Sequence, residues 1–502
     1  MFTAIPFCPL VAVSLVIIFV FNSHHRNRRK THYPPGPKPR LLVGNFFDFP
    51  KTEPWKVYHG WGKVYGEMIH LKVLGQHIII INSQKLADAM FEKRSRIYSD
   101  RPLFPMLDLM GWSKMNTAML RYGPNWRMHR RIYQQGFRAN VVPDYQSILS
   151  PKVGQLLSNL HQSPDLFSTH IRGYATAAIL AVVYGYETSS SNDTLAQITE
   201  EATRTSSDAT HASAAVVNLL PFLRHLPLEF PIFEFQRIAL RTRKLLKEMR
   251  RLPYEYVKNN TETSSGKFSL LGDLLENHTA NGGDKYQEDV IIDTLTTAYA
   301  AGQETTVSLL TASLLAMALH PEAQKRAQRE LDTVVGKDRL PSFTTDRSNL
   351  PYVEAVLRET LRWSPSVPLG VPHAAFLDDT IDGYFIPKGT LVLGNTWAMT
   401  RDESVYPEPE SFIPERFLSG DGTLNEDEML LSFGFGRRIC PGRYFAILTV
   451  WTAMASILSQ FEIGQPEDEA GMPIKSLADV KYSDGIISLP EHFRCMIKPR
   501  RE

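Results

Sequence analysis

Residues 433–442 decide how this chain is interpreted, and they read Phe433-Gly434-Phe435-Gly436-Arg437-Arg438-Ile439-Cys440-Pro441-Gly442. They hold one cysteine in a glycine-flanked loop, with an arginine two residues before it. Glycine lets backbone N–H groups approach a sulfur atom closely, and arginine offers charge-assisted hydrogen bonds to a carboxylate. The loop therefore suits a cysteine thiolate that binds a buried iron.

The number of cysteines restricts what Cys440 can do. The chain has three cysteines among its 502 residues, Cys8, Cys440 and Cys495, which excludes a disulfide scaffold. Zinc sites group several Cys or His ligands at short spacings, and Cys440 has no such neighbour in its segment. The remaining metal interpretation is haem, to which the protein supplies an axial ligand. The alternative is a buried structural cysteine beside a glycine-rich turn.

The N-terminal residues predict a membrane anchor. Residues 1–21 carry no charged side chain, and about twenty apolar residues span a bilayer. A basic flank follows, which favours retention of the rest of the chain on the cytoplasmic side. The alternative, a cleaved signal peptide, would have a basic stretch before the apolar run and a small-residue cleavage site after it. We therefore expect a transmembrane anchor over 1–22, a basic and proline-rich hinge over 23–40, and one large domain over 41–502.

The large domain is predicted to be mainly helical with a small β-rich portion. The longest helical stretch runs from about Gln287 to His320 and ends before Pro321, whose ring would clash with the preceding turn. A helix this long, apolar over much of its surface, is expected to pass through the middle of the domain. A hairpin is predicted over residues 66–82 and a further strand over residues 390–393.

Charge excludes one class of function. The net charge is +2, and no basic stripe with interleaved aromatic residues occurs, so the chain is not of the nucleic-acid-binding type.

Glycosylation sequons occur at Asn192, Asn259 and Asn277. They would face the cytosol on the predicted topology, and we expect them to be unmodified.

Three further segments carry motifs that are ambiguous when each is taken alone. Residues 301–306 hold a glutamate and a threonine, which could be a surface acid and a hydroxyl bonded to a carbonyl one turn earlier. Glu359 and Arg362 are opposite charges three residues apart, and any helix surface has such pairs. Trp126 and Arg130 lie one helical turn apart in a segment rich in arginine.

Together these segments resemble the cytochrome P450 superfamily of haem-thiolate monooxygenases, in particular its fungal microsomal members. Every fixed position of F-x-x-G-x-R-x-C-x-G is filled, and W-x-x-x-R, the oxygen-activation motif, E-x-x-R and P-E-R-F precede it in the expected order. One position differs, since Glu304 stands where many members have aspartate. The resemblance implies a mainly α fold with a small β-rich portion, a long central helix and a preceding transmembrane helix. Residues 41–502 would be the catalytic domain.

The resemblance also implies a role for individual residues. Cys440 would be the axial ligand of the iron of haem b. Thr305 would stabilise the activated oxygen by hydrogen bonding, and Glu304 would take part in relaying protons to it. A buried structural network would brace the haem-binding core, formed by Glu359, Arg362 and Arg416. The haem itself would be contacted by Trp126, Arg130, Ala301, His373, Phe433, Arg438 and Gly442. For His373 the alternative is a satisfied core or loop histidine.

The implied activity is insertion of one oxygen atom from O2 into a lipophilic small molecule. Electrons would come from NADPH through the flavoprotein NADPH-cytochrome P450 reductase, docked on a basic face that contains Arg127, Arg131, Arg437 and Arg443. The protein would lie in the endoplasmic reticulum membrane and act in secondary metabolism or xenobiotic oxidation. Substrate candidates are terpenoids, polyketides, indolic compounds and polycyclic aromatics.

Apolar segments at 103–107, 216–223 and 367–371 favour a lipophilic substrate, although core or membrane-dipping surface explains them equally well. Two other functions are left open at this stage. One is a reductase-independent haem-thiolate isomerase or dehydratase, against which Glu304 and Thr305 argue because such chemistry needs no proton relay to dioxygen. The other is a non-catalytic, membrane-anchored binder of haem or lipid.

Overall fold

A computed structural model describes residues 32–188, 193–208, 212–228, 232–261, 268–483, 485–491 and 493–500. The predicted anchor at 1–22, the first part of the hinge at 23–31 and the sequon at Asn192 lie outside these residues. Asn259 and Asn277 lie within them, and both are exposed on helices.

The described residues are mainly helical, as the sequence predicts. The helices are α1 (Pro54–Tyr65), α2 (Gln84–Ala87), α3 (Ser95–Tyr98), α4 (Pro105–Met110), α5 (Pro124–Gly136), α6 (Gln146–Gln162), α7 (Phe167–Tyr184), α8 (Thr194–Asp208), α9 (Ala212–Leu219), α10 (Glu234–Thr261), α11 (Leu270–Ala280), α12 (Lys285–Leu319), α13 (Pro321–Val334), α14 (Pro351–Trp363), α15 (Thr396–Met399) and α16 (Arg443–Gln460).

The described strands form one four-stranded mixed sheet and three two-stranded sheets. They are β1 (Met68–Val73), β2 (Gln76–Ile81), β3 (His373–Ala374), β4 (Asp379–Ile381), β5 (Tyr384–Ile386), β6 (Leu391–Gly394), β7 (Phe461–Asp468), β8 (Lys481–Tyr482), β9 (Pro490–Glu491) and β10 (Phe493–Pro499). The four-stranded sheet has the order β1-β2-β6-β3, and the pairs β4–β5, β7–β10 and β8–β9 are antiparallel. The predicted hairpin is confirmed as β1 and β2, and the predicted later strand is confirmed as β6.

Helix α12 is the predicted central helix, and its bounds lie within two residues of the prediction. Its first turn is capped by Asp284, whose carboxylate accepts the N–H of Gln287 at 2.8 Å. It ends at Leu319 because Pro321 follows. Its 35 residues span about 52 Å, and every residue from 306 to 318 is buried. The helix therefore passes through the interior of the protein.

Two hydrophobic clusters pack against the two halves of α12. The N-terminal half, with Leu295 and Tyr299, packs among residues of α7 and α10. The C-terminal half, with Leu310 and Leu314, packs in a cluster that includes Trp363 of α14 and Trp451 of α16. Because both tryptophans are almost fully buried, α14 and α16 are held firmly against the central helix.

The mixed sheet carries the chain back to the interior after α14. Ile78 to Ile81 of β2 are buried, and they pair in parallel with Leu391 to Gly394 of β6. On the other side of β6, His373 of β3 pairs with Val392. The sheet thus fixes His373 at a buried position next to β6.

Helix α7 is apolar enough to cross a membrane by length and composition. The segment Pro164–Tyr184 meets that test, but 67% of its apolar window is buried inside the protein. Tyr174 on this helix donates to the carbonyl of Thr449 on α16 at 2.9 Å. Its apolar character is accounted for by packing in the core.

The C-terminal part of the hinge lies against the β1–β2 hairpin. The Tyr33 ring stacks on His70 with centroids 5.0 Å apart and lies 5.1 Å from the His77 ring. The two imidazoles share a hydrogen bond of 2.9 Å between His70 Nε2 and His77 Nδ1. Burial is the main cause that lowers the pKa of each histidine to about 4, with Lys72 adding repulsion.

These two histidines should make the stability of the protein depend on pH. Their folded-state pKa lies below the unfolded value near 6.5, so the unfolded chain binds more protons and stability falls as the pH falls from about 6.5 to about 4. Because both side chains are partly exposed, we expect roughly 1 kcal/mol from each between pH 7 and pH 5. His77→Gln should reduce the loss in urea midpoint over this interval, whereas His161→Gln, at an exposed helix position, should not. Equal pH dependence in the two variants would contradict the assignment.

Candidate active site

The loop around Cys440 is shaped by glycine and by backbone hydrogen bonds. Gly434 and Gly436 have φ of 86° and 50°, the left-handed region that favours glycine. A Cβ at Gly436 would also overlap the carbonyl oxygen of Phe91. The N–H of Cys440 donates to the carbonyl of Phe433 at 2.8 Å, which closes the loop.

The surroundings of Cys440 have opposing effects on the pKa of its thiol. Burial raises the pKa of the thiol, while the N–H of Gly442 and the positive charges of Arg130 and Arg443 favour the thiolate. Gly442 is also the residue that precedes α16. The loop thus presents sulfur to N–H and guanidinium groups, which is the setting of a metal-bound thiolate.

An arginine cluster of Arg101, Arg130 and Arg438 lies beside this loop. Arg130 donates to the carbonyl of Ile439 at 2.7 Å, and its guanidinium lies over the Trp126 ring at 5.8 Å. Arg438 lies over the same ring at 4.5 Å and donates to the carbonyls of Ser99 and Leu120, both at 2.7 Å. Its Nη1 is buried and has no hydrogen-bond partner among the described residues. Burial lowers the pKa of Arg438 to about 10.

Arg101, the third member of the arginine cluster, acts on the nearby imidazole of His373. Arg101 donates through Nη1 to the carbonyls of Val371 and Pro372 at 2.7 Å, and burial followed by the charge of Arg438 lowers its pKa. His373 donates through Nδ1 to the carbonyl of Tyr98 at 2.7 Å. Burial, followed by Arg101, lowers the pKa of His373, so the imidazole is neutral. Sequence reasoning did not identify Arg101.

The oxygen-activation motif lies in the middle of α12. Thr305 donates its hydroxyl to the carbonyl of Ala301 at 2.8 Å, the one-turn bond that the sequence left open as an alternative. Glu304 forms an ion pair with Arg172 of α7 at 2.5 Å. Arg172 also approaches Glu200 at 3.8 Å. The motif therefore has a half-buried acid held by a cation rather than a solvated surface glutamate.

Gly302 and Gln303 join the same part of α12 to α7. A Cβ at Gly302 would lie 3.3 Å from Cδ1 of Ile179, so glycine permits the two helices to pack closely. The buried amide of Gln303 donates to the hydroxyl of Thr176 at 2.9 Å. Tyr133 of α5 donates to the carbonyl of Thr294 at 3.2 Å, and so joins α12 to the helix that carries Trp126 and Arg130.

The structure brings Glu359, Arg362 and Arg416 together. Arg362 and Glu359 are fully buried, and they form a bidentate pair with N–O distances of 2.6 and 2.7 Å. Arg416 Nε lies 3.4 Å from the same carboxylate. The remaining N–H groups of Arg362 donate to the carbonyls of Thr400, Pro409 and Ser411. The network thus joins α14 to the chain that leads to the Cys440 loop.

Comparison with known proteins identifies the family. Residues 34–482 match the sequence profile of cytochrome P450. The chain belongs to the cytochrome P450 family. It is 37% identical to a cytochrome P450 monooxygenase of Armillaria gallica over 98% of this chain and 96% of that protein. It is 39% identical to cytochrome P450 monooxygenase COX2 of Coprinopsis cinerea over 95% of this chain and 90% of that protein. Cytochrome P450 monooxygenase 208 of Postia placenta is 38% identical, with coverages of 97% and 94%.

Cytochrome P450 enzymes hold haem through a cysteine thiolate, and the residues present fit this group. Two propionate carboxylates would neutralise the arginine cluster, whose Arg438 has an unpaired buried N–H. The Asp100 carboxylate acts on both Arg101 and Arg438, but it is already bound by Arg121. The donor set of one cysteine with guanidinium groups suits iron protoporphyrin, and among the described residues no cluster of three or more metal ligands offers an alternative metal site.

Removing one charge from the buried network should destabilise the protein. Glu359→Gln would leave Arg362 buried beside a neutral amide, although its backbone partners would remain, and we expect a loss of about 3 kcal/mol in the free energy of unfolding. Glu322→Gln is the matched control, because Glu322 forms an exposed pair with Lys325 at the same spacing and should change stability by less than about 0.5 kcal/mol. Urea unfolding followed by tryptophan fluorescence measures both. Similar losses in the two variants would show that the network does not brace the fold.

Arg438→Lys should weaken haem binding. Lysine keeps the charge but lacks the planar fork that reaches two carbonyls and still has an N–H to donate. We expect haem to transfer to apomyoglobin roughly tenfold faster, the equivalent of one charge-assisted hydrogen bond. Arg437→Lys, at the exposed neighbouring position, should leave the rate unchanged. Equal transfer rates for the two variants would exclude Arg438 from the haem contact.

Proposed function

We propose that this cytochrome P450 inserts one oxygen atom from O2 into a lipophilic small molecule, with electrons from NADPH delivered by a flavoprotein reductase. The observation that carries the proposal is the intact oxygen-activation motif, with Glu304 held by Arg172 and Thr305 next to it on α12. An isomerase or dehydratase acting on hydroperoxides would have no use for a held acid at this point. Cys440 would hold the haem, which would supply the activation of dioxygen.

The residues of the motif would supply hydrogen bonds and protons. The Thr305 hydroxyl donates to Ala301, and its oxygen can still accept. Glu304 carries a proton inward only after its carboxylate leaves Arg172, so this ion pair would control delivery. Arg172 is 24% exposed and Glu200 is 55% exposed, so the triad of Glu304, Arg172 and Glu200 leads from α12 to solvent. Protons would enter by this route.

The proposal of a lipophilic substrate is supported by the apolar segments that meet near α12. Met106 and Leu109 of α4 are buried in the same cluster as Ala298 of α12 and Val217 of α9. The N–H of Met106 donates to the side-chain carbonyl of Asn218 at 2.9 Å, which ties α4 to α9. A terpenoid, polyketide, indolic or polycyclic aromatic compound fits such surroundings, and methionine adapts to irregular shapes.

We propose that the protein lies in the endoplasmic reticulum membrane, and large apolar side chains on the surface support association with a membrane. Leu41, Leu42 and Phe47 are 85%, 74% and 66% exposed just after the hinge, and Phe222 and Ile232 are 67% and 78% exposed between α9 and α10. Surfaces of this kind mark membrane or protein contact. With the predicted anchor at 1–22, we propose a single-pass protein whose catalytic domain, 41–502, faces the cytosol. The sequons would then remain unmodified.

The proposed reductase site is the basic surface next to the Cys440 loop. Arg127, Arg131 and Arg437 are exposed, and Arg443 is half-buried close to the cysteine. Arg437 donates to the hydroxyl of Tyr122 at 2.5 Å, so its position is fixed rather than random. An acidic flavoprotein surface would be attracted to these charges, and the attraction would weaken with salt.

Product analysis tests the proposal most directly. Membranes that contain this protein and a reductase are supplied with NADPH, 18O-labelled O2 and a panel of lipophilic compounds, and we expect a product that gains one 18O atom. A folded protein whose reduced carbon monoxide complex lacks the red-shifted Soret band of thiolate ligation would overturn the proposal. Product formation that persists without reductase and NADPH would favour the isomerase or dehydratase function instead.

Thr305→Ala should uncouple NADPH consumption from product formation. Loss of the hydroxyl removes a hydrogen bond from the oxygen site, and we expect on the order of tenfold less product per NADPH consumed. Thr305→Ser keeps the hydroxyl and is the control, for which coupling should stay near that of the unchanged protein. Product by mass spectrometry and NADPH by absorbance give the ratio. Unchanged coupling in Thr305→Ala would remove Thr305 from this role.

A further inference from the structure

Residues 115–120, here called the strap, connect the central helix to the arginine cluster. They lie between α4 and α5 and form turns rather than a helix or a strand. The N–H groups of Met119 and Leu120 both donate to the carbonyl of Asn116 at 2.9 Å. A segment of turns is constrained less by its own backbone than a helix is, so the position of the strap depends on its neighbours.

Thr297 of α12 holds the first half of the strap. Its buried hydroxyl donates to the carbonyl of Met115 at 2.7 Å, and its oxygen accepts the N–H of Thr117 at 3.4 Å. The same hydroxyl lies 3.0 Å from the carbonyl of Asp293 one turn earlier, so the strap provides the shorter contact. Thr297 also stands one helical turn before Ala301. The first half of the strap is therefore held close to the oxygen-activation motif.

His129 of α5 holds the strap at the same point. Its Nδ1 shares a hydrogen bond of 2.8 Å with the hydroxyl of Thr117, and both side chains are buried. Burial lowers the pKa of His129 to about 4, so the imidazole is neutral at pH 7 and adds no charge to the site. His129 directly precedes Arg130 on α5. One helix thus contributes both to holding the strap and to the arginine cluster.

The second half of the strap binds the other two arginines of the cluster. Arg101 Nε donates to the carbonyl of Ala118, and Arg438 Nη2 donates to the carbonyl of Leu120, both at 2.7 Å. The two guanidinium groups repel each other, so their positions depend on such partners. Because a guanidinium is planar and rigid, two N–H groups bound to carbonyls fix the direction of the others. The strap therefore helps to orient the groups that would bind the haem propionates.

The two halves of the strap cannot move independently. Thr117, which Thr297 and His129 hold, is followed at once by Ala118, whose carbonyl binds Arg101. The planar peptide bond between them leaves only the backbone dihedrals to absorb a displacement. A shift of residues 115–117 would therefore move the Ala118 carbonyl and change the direction of Arg101. A binding site loses much of its strength when its supporting residues shift by about 1 Å.

We propose that Thr297 is a positioning residue for haem retention, which acts by holding the strap where Ala118 and Leu120 orient Arg101 and Arg438 to bind the haem propionates. Thr297 makes no contact with a carboxylate in this role. The role concerns how long haem stays bound, and it is independent of whether oxygen is inserted into a substrate. Product analysis can therefore succeed or fail without deciding it.

Haem transfer from the full-length, haem-loaded protein to apomyoglobin tests the proposal. Thr297→Val removes the hydroxyl and leaves the buried carbonyl of Met115 without this donor, and we expect transfer to become about tenfold faster. Thr297→Ser keeps the hydroxyl and should leave the rate near that of the unchanged protein. Thr311→Val is the matched control, because Thr311 is a buried threonine of the same helix whose hydroxyl has no hydrogen-bond partner among the described residues. Equal transfer rates for Thr297→Val and either of these variants would overturn the proposal.

Hydrogen exchange of the same haem-loaded variants separates a local effect from a general loss of stability. In Thr297→Val, amide exchange in residues 115–120 should become about tenfold faster. Exchange in α14, which belongs to a different part of the core, should not change. Faster exchange of similar size in both segments would show that the substitution destabilises the whole protein. Faster exchange in the strap without faster haem transfer would show that the strap does not retain the haem, and either result overturns the proposal.

Discussion

Burial of positive charge beside Cys440 is the constraint on which the site depends. Arg101, Arg130 and Arg438 come from three separate parts of the chain, and burial lowers the pKa of each. Backbone carbonyls satisfy most of their N–H groups but supply no full negative charge. Such an arrangement is tolerable when an anionic group completes it. We propose that the haem propionates would supply that charge, in which case haem binding would stabilise the folded state of this region.

The network around Glu359 neutralises buried arginine side chains with a carboxylate of the protein itself rather than with a cofactor. Its carboxylate lies between Arg362 and Arg416, and three backbone carbonyls take up the remaining N–H groups of Arg362. Because the network contains its own anion, it can form before haem binds. It holds α14 against the segment that leads to Cys440, so the loop has a fixed support when the haem arrives. On the proposed roles, the Glu359 network would brace the protein and the arginine cluster would bind the cofactor.

The sequence predicts what is local and misses what depends on distant partners. The bounds of α12 follow from Asp284 at its start and Pro321 after its end, and the β1–β2 hairpin follows from a β-branched run and a glycine turn. The Cys440 loop is recognisable because its glycines and arginine lie within ten residues. Arg101 and Arg172 carry no such local signal, because their importance arises from residues 270 and 132 positions away.

Partial burial of the oxygen-activation motif could not be read from the sequence either. A glutamate on a helix can be solvated or paired, and only the packing of α7 against α12 places Arg172 beside Glu304. The same is true of the apolar segment 216–223. Val217 is buried while Phe222 is 67% exposed, so one stretch of similar composition serves both the core and the surface. Composition gives the character of such a segment, whereas its environment is set by tertiary contacts.

The end of α14 connects the network around Glu359 to the hydrophobic core. Helix C-termini leave carbonyl groups without partners, and Arg401 binds those of Arg362 and Trp363. Arg362 belongs to the network that joins α14 to the chain leading to the cysteine loop, whereas Trp363 is buried in the hydrophobic cluster around the C-terminal half of α12. Because Arg401 is committed to the helix end through Nη1 and Nη2, its Nε is held in a fixed direction and cannot turn to find another acceptor. The need to cap this helix thus fixes the guanidinium of Arg401 against the Trp397 ring and encloses its Nε without a hydrogen-bond partner among the described residues.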